Sequence, residues 1–164
     1  PKKHEAHSRV DPSPSRSTNQ MNDPNTHIKG AAAVDLAHDR ETITALIEDL
    51  LDQAEQSGFG SSAVFAIRLA IEEAITNAFE HGHRGLDDAL TVRVEHRVTP
   101  EVFEIAVEDQ GPGFKPEDLP DPTLLENLSK PSGRGVMLMK AYMTEVEFNP
   151  SGNRVVMRYR NQDQ

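Results

Sequence analysis

Glu73, Asn77 and His81 stand at i, i+4 and i+8, a spacing that lines three polar side chains along one strip of a helix. Val64, Ile67, Ile71, Ala74, Ile75 and Ala78 fall on a separate apolar stripe, which suffices as the core face of that helix. The polar row is therefore not needed for packing, and it reads either as a solvated face or as the working side of a site. Phosphoryl transfer gives it a specific meaning. Asn77 can offer Mg2+ a neutral amide oxygen without adding another anion beside a triphosphate. Glu73, one turn earlier, can orient or deprotonate an attacking hydroxyl. His81 reads as a nucleotide contact or as a cation near a helix C-terminus.

A second motif, Glu108-Asp109-Gln110-Gly111-Pro112-Gly113, closes a strand-like run. It is a plain turn on one reading. On the other, Asp109 accepts a hydrogen bond from the adenine exocyclic amine, while Gly111 and Gly113 let the backbone pass close to base and ribose. A carboxylate there rejects guanine, which presents a carbonyl oxygen at that edge. A third motif, Ser132-Gly133-Arg134-Gly135-Val136-Met137-Leu138-Met139, is a glycine-rich entry to a helix. It is either a hinge or a phosphate cradle, in which free N–H groups and the positive end of the helix dipole meet the anion. Gly133, Gly135 and Val136 are the expected backbone contacts, and Lys130 and Arg134 the expected charges on the phosphate side.

The elements that must position these residues follow from periodicity and punctuation. Ile28 to Leu36 is a strand candidate, and Asp39 to Gln56 repeats apolar residues at helical spacing until Gly58 and Gly60. Ser61 and Ser62 are expected to cap a second helix running to about His81. Leu90 to Val98 and Val102 to Val107 alternate as strands around a turn at Thr99, Pro100 and Glu101. Gly111 to Gly133 contains Pro112, Pro116, Pro120, Pro122 and Pro131, so it is expected as a long loop, with a short helix at Leu124 to Leu128 and a lid at about Phe114 to Ser132. Val136 to Met143 reads as a helix, and Glu145 to Asn149 and Arg154 to Arg160 as closing strands. The order β-α-α-β-β-loop-α-β-β predicts an α+β two-layer sandwich, helices on one face of a mostly antiparallel sheet.

The 164 residues suffice for one domain. Residues 1–26 are almost devoid of apolar side chains and are expected as a polar tail, 27–160 as the domain, and 161–164 as a second tail. With no cysteine, a disulfide framework and a thiolate metal site are both excluded. No run is apolar enough for a membrane span or signal peptide, so a cytoplasmic setting is expected. Lys and Arg total 17 against 27 Asp and Glu, a formal charge of -10, which repels a nucleic acid backbone but allows a single nucleotide with its Mg2+.

Together the three motifs resemble those of the Bergerat, or histidine-kinase-like ATPase, fold: Glu73-x-x-x-Asn77 its N box, Asp109-x-Gly111-x-Gly113 and Gly133-x-Gly135 its glycine boxes. Within that superfamily, Glu72-Glu73-Ala74-Ile75-Thr76-Asn77-Ala78-Phe79-Glu80-His81-Gly82 and Gly135 to Val146 resemble the bacterial anti-sigma factor serine kinases. The resemblance spans about Ile28 to Arg160. It implies ATP and Mg2+ as ligands, with Glu73 as base, Asn77 as Mg2+ ligand and Asp109 as adenine contact. It further implies a serine on a small STAS-type anti-sigma antagonist as substrate, a sigma factor as second partner, and a homodimer, for which Phe65, Leu69 and Phe79 offer apolar surface. A threonine usual before the last strand is replaced around Asn153 and Arg154. Two other readings compete with this one. A sensor histidine kinase, suggested by His38-Asp39-Arg40, carries its phosphorylated histidine on a two-helix hairpin before the ATP domain, whereas here a single helix separates the first strand from the N-box helix. A module that binds ATP as a switch without transferring phosphate would use nearly the same residues.

Overall fold

A computed structural model describes residues 24–115 and 133–162. Its elements run β1 (Ala32–Leu36), α1 (Arg40–Gln56), α2 (Ser61–Thr76), a π turn (Asn77–Gly82), β2 (Val92–Val98), β3 (Val102–Glu108), α3 (Arg134–Tyr142), β4 (Glu145–Phe148) and β5 (Arg154–Arg160). The strands form one sheet in the order β1-β2-β3-β5-β4, every neighbouring pair antiparallel. The α+β sandwich is therefore as the element order predicts. The short helix at Leu124 to Leu128, Lys130 and most of the expected lid and tails lie outside the described residues.

The sheet is central because alternation gives it two different faces. Val92, Val94, Phe103, Ile105, Val107, Val155 and Met157 point to the helices and join Leu50, Ile67, Ile71 and Met139 in the core. α2 packs against both α1 and α3. Its Ala63, Ala66, Ala70 and Ala74 are buried, and side chains this small let neighbouring elements come close. The opposite face carries paired charges: Arg154 bonds Glu95 and Glu108, each at 3.0 Å, and Arg158 bonds Glu104 at 2.9 Å and Glu145 at 3.2 Å. The carbonyls of Pro24 and Thr26 accept from Arg154 at 3.1 and 3.4 Å, so the chain before β1 lies against this face.

Local chemistry explains where the helices begin and end. Asp39 caps α1, its Oδ2 accepting from Thr42 N–H at 2.8 Å. At the other end Gly58 is left-handed, with φ of 91°, its N–H reaching Glu55 O at 3.0 Å while Phe59 N–H reaches Ala54 O at 3.1 Å. That is the double closure expected of a glycine stop, completed by burial of Phe59. The tight turn leaves Gly60, not Ser61 or Ser62, as the cap of α2, without a side-chain bond. Both serines are drawn into the first turn.

The helix expected to reach His81 is also not uniform. It is α-helical to Thr76, and the next six residues widen into a π turn, closed by His83 N–H donating to Ala78 O at 3.0 Å. Such single π turns recur at functional sites. α3 begins two residues earlier than expected, at Arg134, because Gly133 takes the left-handed conformation (φ 92°) as its cap. The glycine box is thus half cap and half first turn. His38, the remnant of the histidine kinase reading, is an exposed residue just before α1, stacked on Phe79 at 4.4 Å. Among the described residues no helix is long and apolar enough to cross a membrane.

Candidate functional site

A cleft of about 270 Å³ opens between α2, α3 and the ends of β3 and β5. Ala74, Ala78, Val107, Val136, Met139, Phe148 and Val155 form its apolar walls, and Asn77, His81, Asp109 and Asn153 supply polar groups. Phe114 meets Phe148 edge to face at 5.3 Å at one side. The combination of flat apolar walls with a few fixed polar groups suits an aromatic base that carries a polar tail.

Three sequence motifs meet here although they lie far apart in the chain. At one end, a β-carbon placed on Gly135 would stand 2.5 Å from Glu73 Oε2, 3.1 Å from Asn77 Nδ2 and 3.4 Å from Asn77 Oδ1. The first turn of α3 therefore lies directly against the carboxylate of α2 and the amide that opens the π turn. Only glycine leaves that space. At the other end, a β-carbon on Gly82 would stand 2.4 Å from Asp109 Cγ, and one on Gly111 only 1.9 Å from Gly82 O. The end of the π turn and the end of β3 thus interlock around the Asp109 carboxyl. Gly113, left-handed with φ of 73°, has a similar fit against Ser151 O.

Asp109 is held from several directions. Its Oδ1 accepts Gly111 N–H at 2.8 Å, its N–H donates to Asn153 O at 2.9 Å, and its carbonyl accepts from Asn153 Nδ2 at 3.1 Å. Asn153 is itself fixed by Asn149, whose Nδ2 donates to Asn153 Oδ1 at 2.9 Å. Burial pushes the Asp109 carboxyl above the usual aspartate range, while the Gly111 N–H pulls against that rise. The carboxylate is a poorly hydrated acceptor that gains from a donor delivered into the cleft.

Asn77, His81, Asp109, Gly113, Gly133, Gly135 and Val136 line the cleft. Glu73 stands at its rim beside Gly135, and Gly111 stands behind Asp109. His81 is exposed within the π turn, with Arg84 donating to its Nδ1 at 3.2 Å. Arg134 is exposed on the first turn of α3 and is not among the lining residues. Lys130 is outside the described residues. Of the apolar residues expected to extend surface for a partner copy, Phe65 is exposed but Phe79 is buried, because the π turn folds it beneath His38 and His83.

Sequence reasoning passed over His83, whose Nε2 accepts Gln110 N–H at 3.0 Å, and also Asn149 and the aromatic pair Phe114 and Phe148. Asn153 drew notice only as a departure from a family pattern. No spacing rule links residues 83 and 110 or 109 and 153. The one available signal was the second histidine immediately after the His81-Gly82 pair.

Known proteins share this arrangement of elements. A family model described as a histidine kinase-like ATPase domain matches residues 33–159. A relative named serine-protein kinase RsbW, from Listeria monocytogenes, is 29% identical over 119 residues, covering 68% of this chain and 75% of its own. A protein named anti-sigma F factor, from Clostridium perfringens, is 28% identical over 131 residues, covering 67% of this chain and 91% of its own. A crystal structure of the RsbU and RsbW domains of Rv1364c from Mycobacterium tuberculosis superposes on 79% of this chain with a TM-score of 0.54 at 16% identity. That likeness is one of fold, and this chain spans 31% of the solved one. With the five-stranded antiparallel sheet, the glycine-lined cleft and a family model spanning β1 to β5, this chain belongs to the histidine kinase-like ATPase domain family.

Proposed function

We propose that the chain is an ATP-dependent serine protein kinase that acts as an anti-sigma factor, phosphorylating a small STAS-type antagonist and sequestering a sigma factor. One observation carries the reading. Glu73 and Asn77 converge on Gly135 beside the cleft, while Asp109 is locked further along it, an arrangement that supports a nucleotide held between an adenine-side acceptor and a carboxylate–amide pair. The relatives' printed names, serine-protein kinase and anti-sigma F factor, support the same direction.

The residues fit a magnesium nucleotide. The space a β-carbon on Gly135 would fill lies against a carboxylate and the Asn77 amide, its nitrogen at 3.1 Å and its oxygen at 3.4 Å; the carboxylate and the amide oxygen are acceptors that suit a hydroxyl proton and a hard cation. Asn77 would hold Mg2+, which when bound neutralises charge on the phosphates. Gly133, Gly135 and Val136 present the start of α3, a helix of nine residues, to the phosphate end. Arg134 and Lys130 are proposed as the cations on that side, and His81 as a contact at the rim. Asp109 accepts from the adenine amine, and the apolar walls take the faces of the base. Glu73 takes the proton of the serine hydroxyl as its oxygen bonds to the γ-phosphorus and ADP leaves. The setting is cytoplasmic, and the acting form is a homodimer in which exposed Phe65, packed edge-on to Tyr142 at 6.2 Å, supplies apolar surface.

The test is incubation with labelled ATP and purified candidate antagonists from the same genome, with phosphoserine located by mass spectrometry. The wild type is expected to modify one of them. Glu73→Gln should keep Mg-ATP affinity yet slow transfer by about 10²–10⁴-fold, the usual cost of losing a general base. Asn77→Ala should fail earlier, at Mg-ATP binding. Wild-type transfer by Glu73→Gln, or no antagonist modified by the wild type, would replace this reading with a nucleotide-dependent binding switch.

A further inference from the structure

His83 is the C-cap of the π turn, and its side chain is turned inward: the residue is only 9% exposed. The ring is held in a fixed orientation by its neighbours. It packs against Phe79 with centroids 5.7 Å apart and planes at 84°, and Phe79 in turn stacks on His38. From this position Nε2 accepts the Gln110 N–H at 3.0 Å. A ring nitrogen that accepts carries no hydrogen, so the hydrogen of the neutral ring sits on Nδ1.

The Gln110 N–H belongs to the same peptide group as the Asp109 carbonyl. That carbonyl accepts from Asn153 Nδ2 at 3.1 Å. The 109–110 peptide plane is therefore gripped at both ends, from the π turn by His83 and from the β5 side by Asn153. Were this plane released, a change in the torsion after Asp109 would swing the following chain and draw the Gly111 N–H away from the Asp109 carboxyl that accepts it at 2.8 Å. We infer that His83 is a positioning residue that fixes the Asp109–Gln110 peptide and thereby sets base selectivity. The inference rests on the reading of Asp109 as the adenine contact. His83 touches neither the base nor the phosphates; it acts through the plane of one peptide group.

Calorimetry with Mg-ATP and Mg-GTP on the full chain, for wild type, His83→Phe, His83→Gln and Asp109→Asn, tests this. Phe keeps a ring against Phe79 and removes the acceptor, whereas Gln returns an oxygen close to the place of Nε2. His83→Phe is expected to weaken ATP by up to about tenfold, the upper end of what one hydrogen bond contributes, and to leave GTP unchanged. His83→Gln should restore most of the ATP preference. Equal loss for both nucleotides, in step with a lower melting temperature, would mark a merely structural role and overturn the inference. If Asp109→Asn abolishes the preference while His83→Phe keeps it, the inference falls alone; if the wild type shows no preference, the adenine reading falls and takes the inference with it. Should His83→Phe not fold, nitrogen NMR of the wild-type ring decides. A hydrogen on Nδ1 with coupling from Nε2 to the Gln110 amide supports the role, and a hydrogen on Nε2 overturns it.

Discussion

Gly135→Ala separates chemistry from folding more cleanly than any change at the proposed base itself. Gly135 is not in the left-handed region and lies in the first turn of α3, so alanine is conformationally allowed there and contributes up to about 1 kcal/mol of helix propensity. Its β-carbon, however, would stand 2.5 Å from Glu73 Oε2. To regain ordinary contact at 3.4 Å the carboxylate must retreat by about 0.9 Å, which a flexible glutamate does at little cost in stability. Asn77 Nδ2, at 3.1 Å, has to move much less. Displacement of a reacting group by ~1 Å costs on the order of 10²-fold in rate. The expected variant is as stable as wild type or more so, binds Mg-ATP within about threefold, by the usual tolerance of a small shift in a ligand, and transfers phosphate roughly 10²-fold more slowly. Single-turnover transfer from labelled ATP, with melting temperature and Mg-ADP affinity measured alongside, provides the test. Unchanged transfer would refute the claim that the position of Glu73 matters. Collapse of Mg-ADP affinity would instead assign the free space at Gly135 to the phosphates.

Asp109→Asn should lose the preference for ATP over GTP yet gain stability at neutral pH. Burial disfavours the charged aspartate in the folded state, so its stabilising share is present only at acid pH and is lost as pH rises through its raised pKa. For the same reason ATP affinity should fall on acidification at a higher pH than an ordinary aspartate would give, as calorimetry across pH can show. On the outer face, burial pushes Glu95 up, but hydrogen bonds from Arg154, His27 and the Ile28 N–H outweigh it and hold the carboxyl at about 2. Its stabilising share is therefore complete above the ordinary glutamate range and lost as pH falls towards about 2. Arg154→Met, which takes the buried cation from Glu95 but leaves it His27 and the Ile28 N–H, should cost up to roughly 3 kcal/mol in chemical denaturation, and a loss below 1 kcal/mol would deny the pair its structural role. Phe65→Ser should shift the proposed homodimer towards monomer in light scattering at tens of micromolar, an order taken from typical interface affinities; a wild type that is monomeric there would remove the dimer.

Periodicity and punctuation carried the element order, the apolar stripe of α2 and the glycine stop after α1, because these depend on near neighbours in the chain and on backbone freedom. The same local logic picked out Asn77, Asp109 and the two glycine boxes, since each is a short run whose residue types constrain chemistry on their own. Where neighbouring turns compete, local logic failed. Ser61 is a good cap, but the buried Phe59 fixed the preceding turn and left that place to Gly60. The helix through Asn77 looked regular, yet the fit of Gly82 against Asp109 comes with a widened turn that buries Phe79 and turns His83 inward. Tertiary structure alone decided that Glu73 stands beside Gly135, that Arg134 is absent from the cleft lining, and that His83 and Asn153 grip one peptide from two sides. Such pairings join residues 27 to 62 positions apart in the chain, and the sheet register and helix packing that bring them together are summed over the whole core, so no local pattern encodes them.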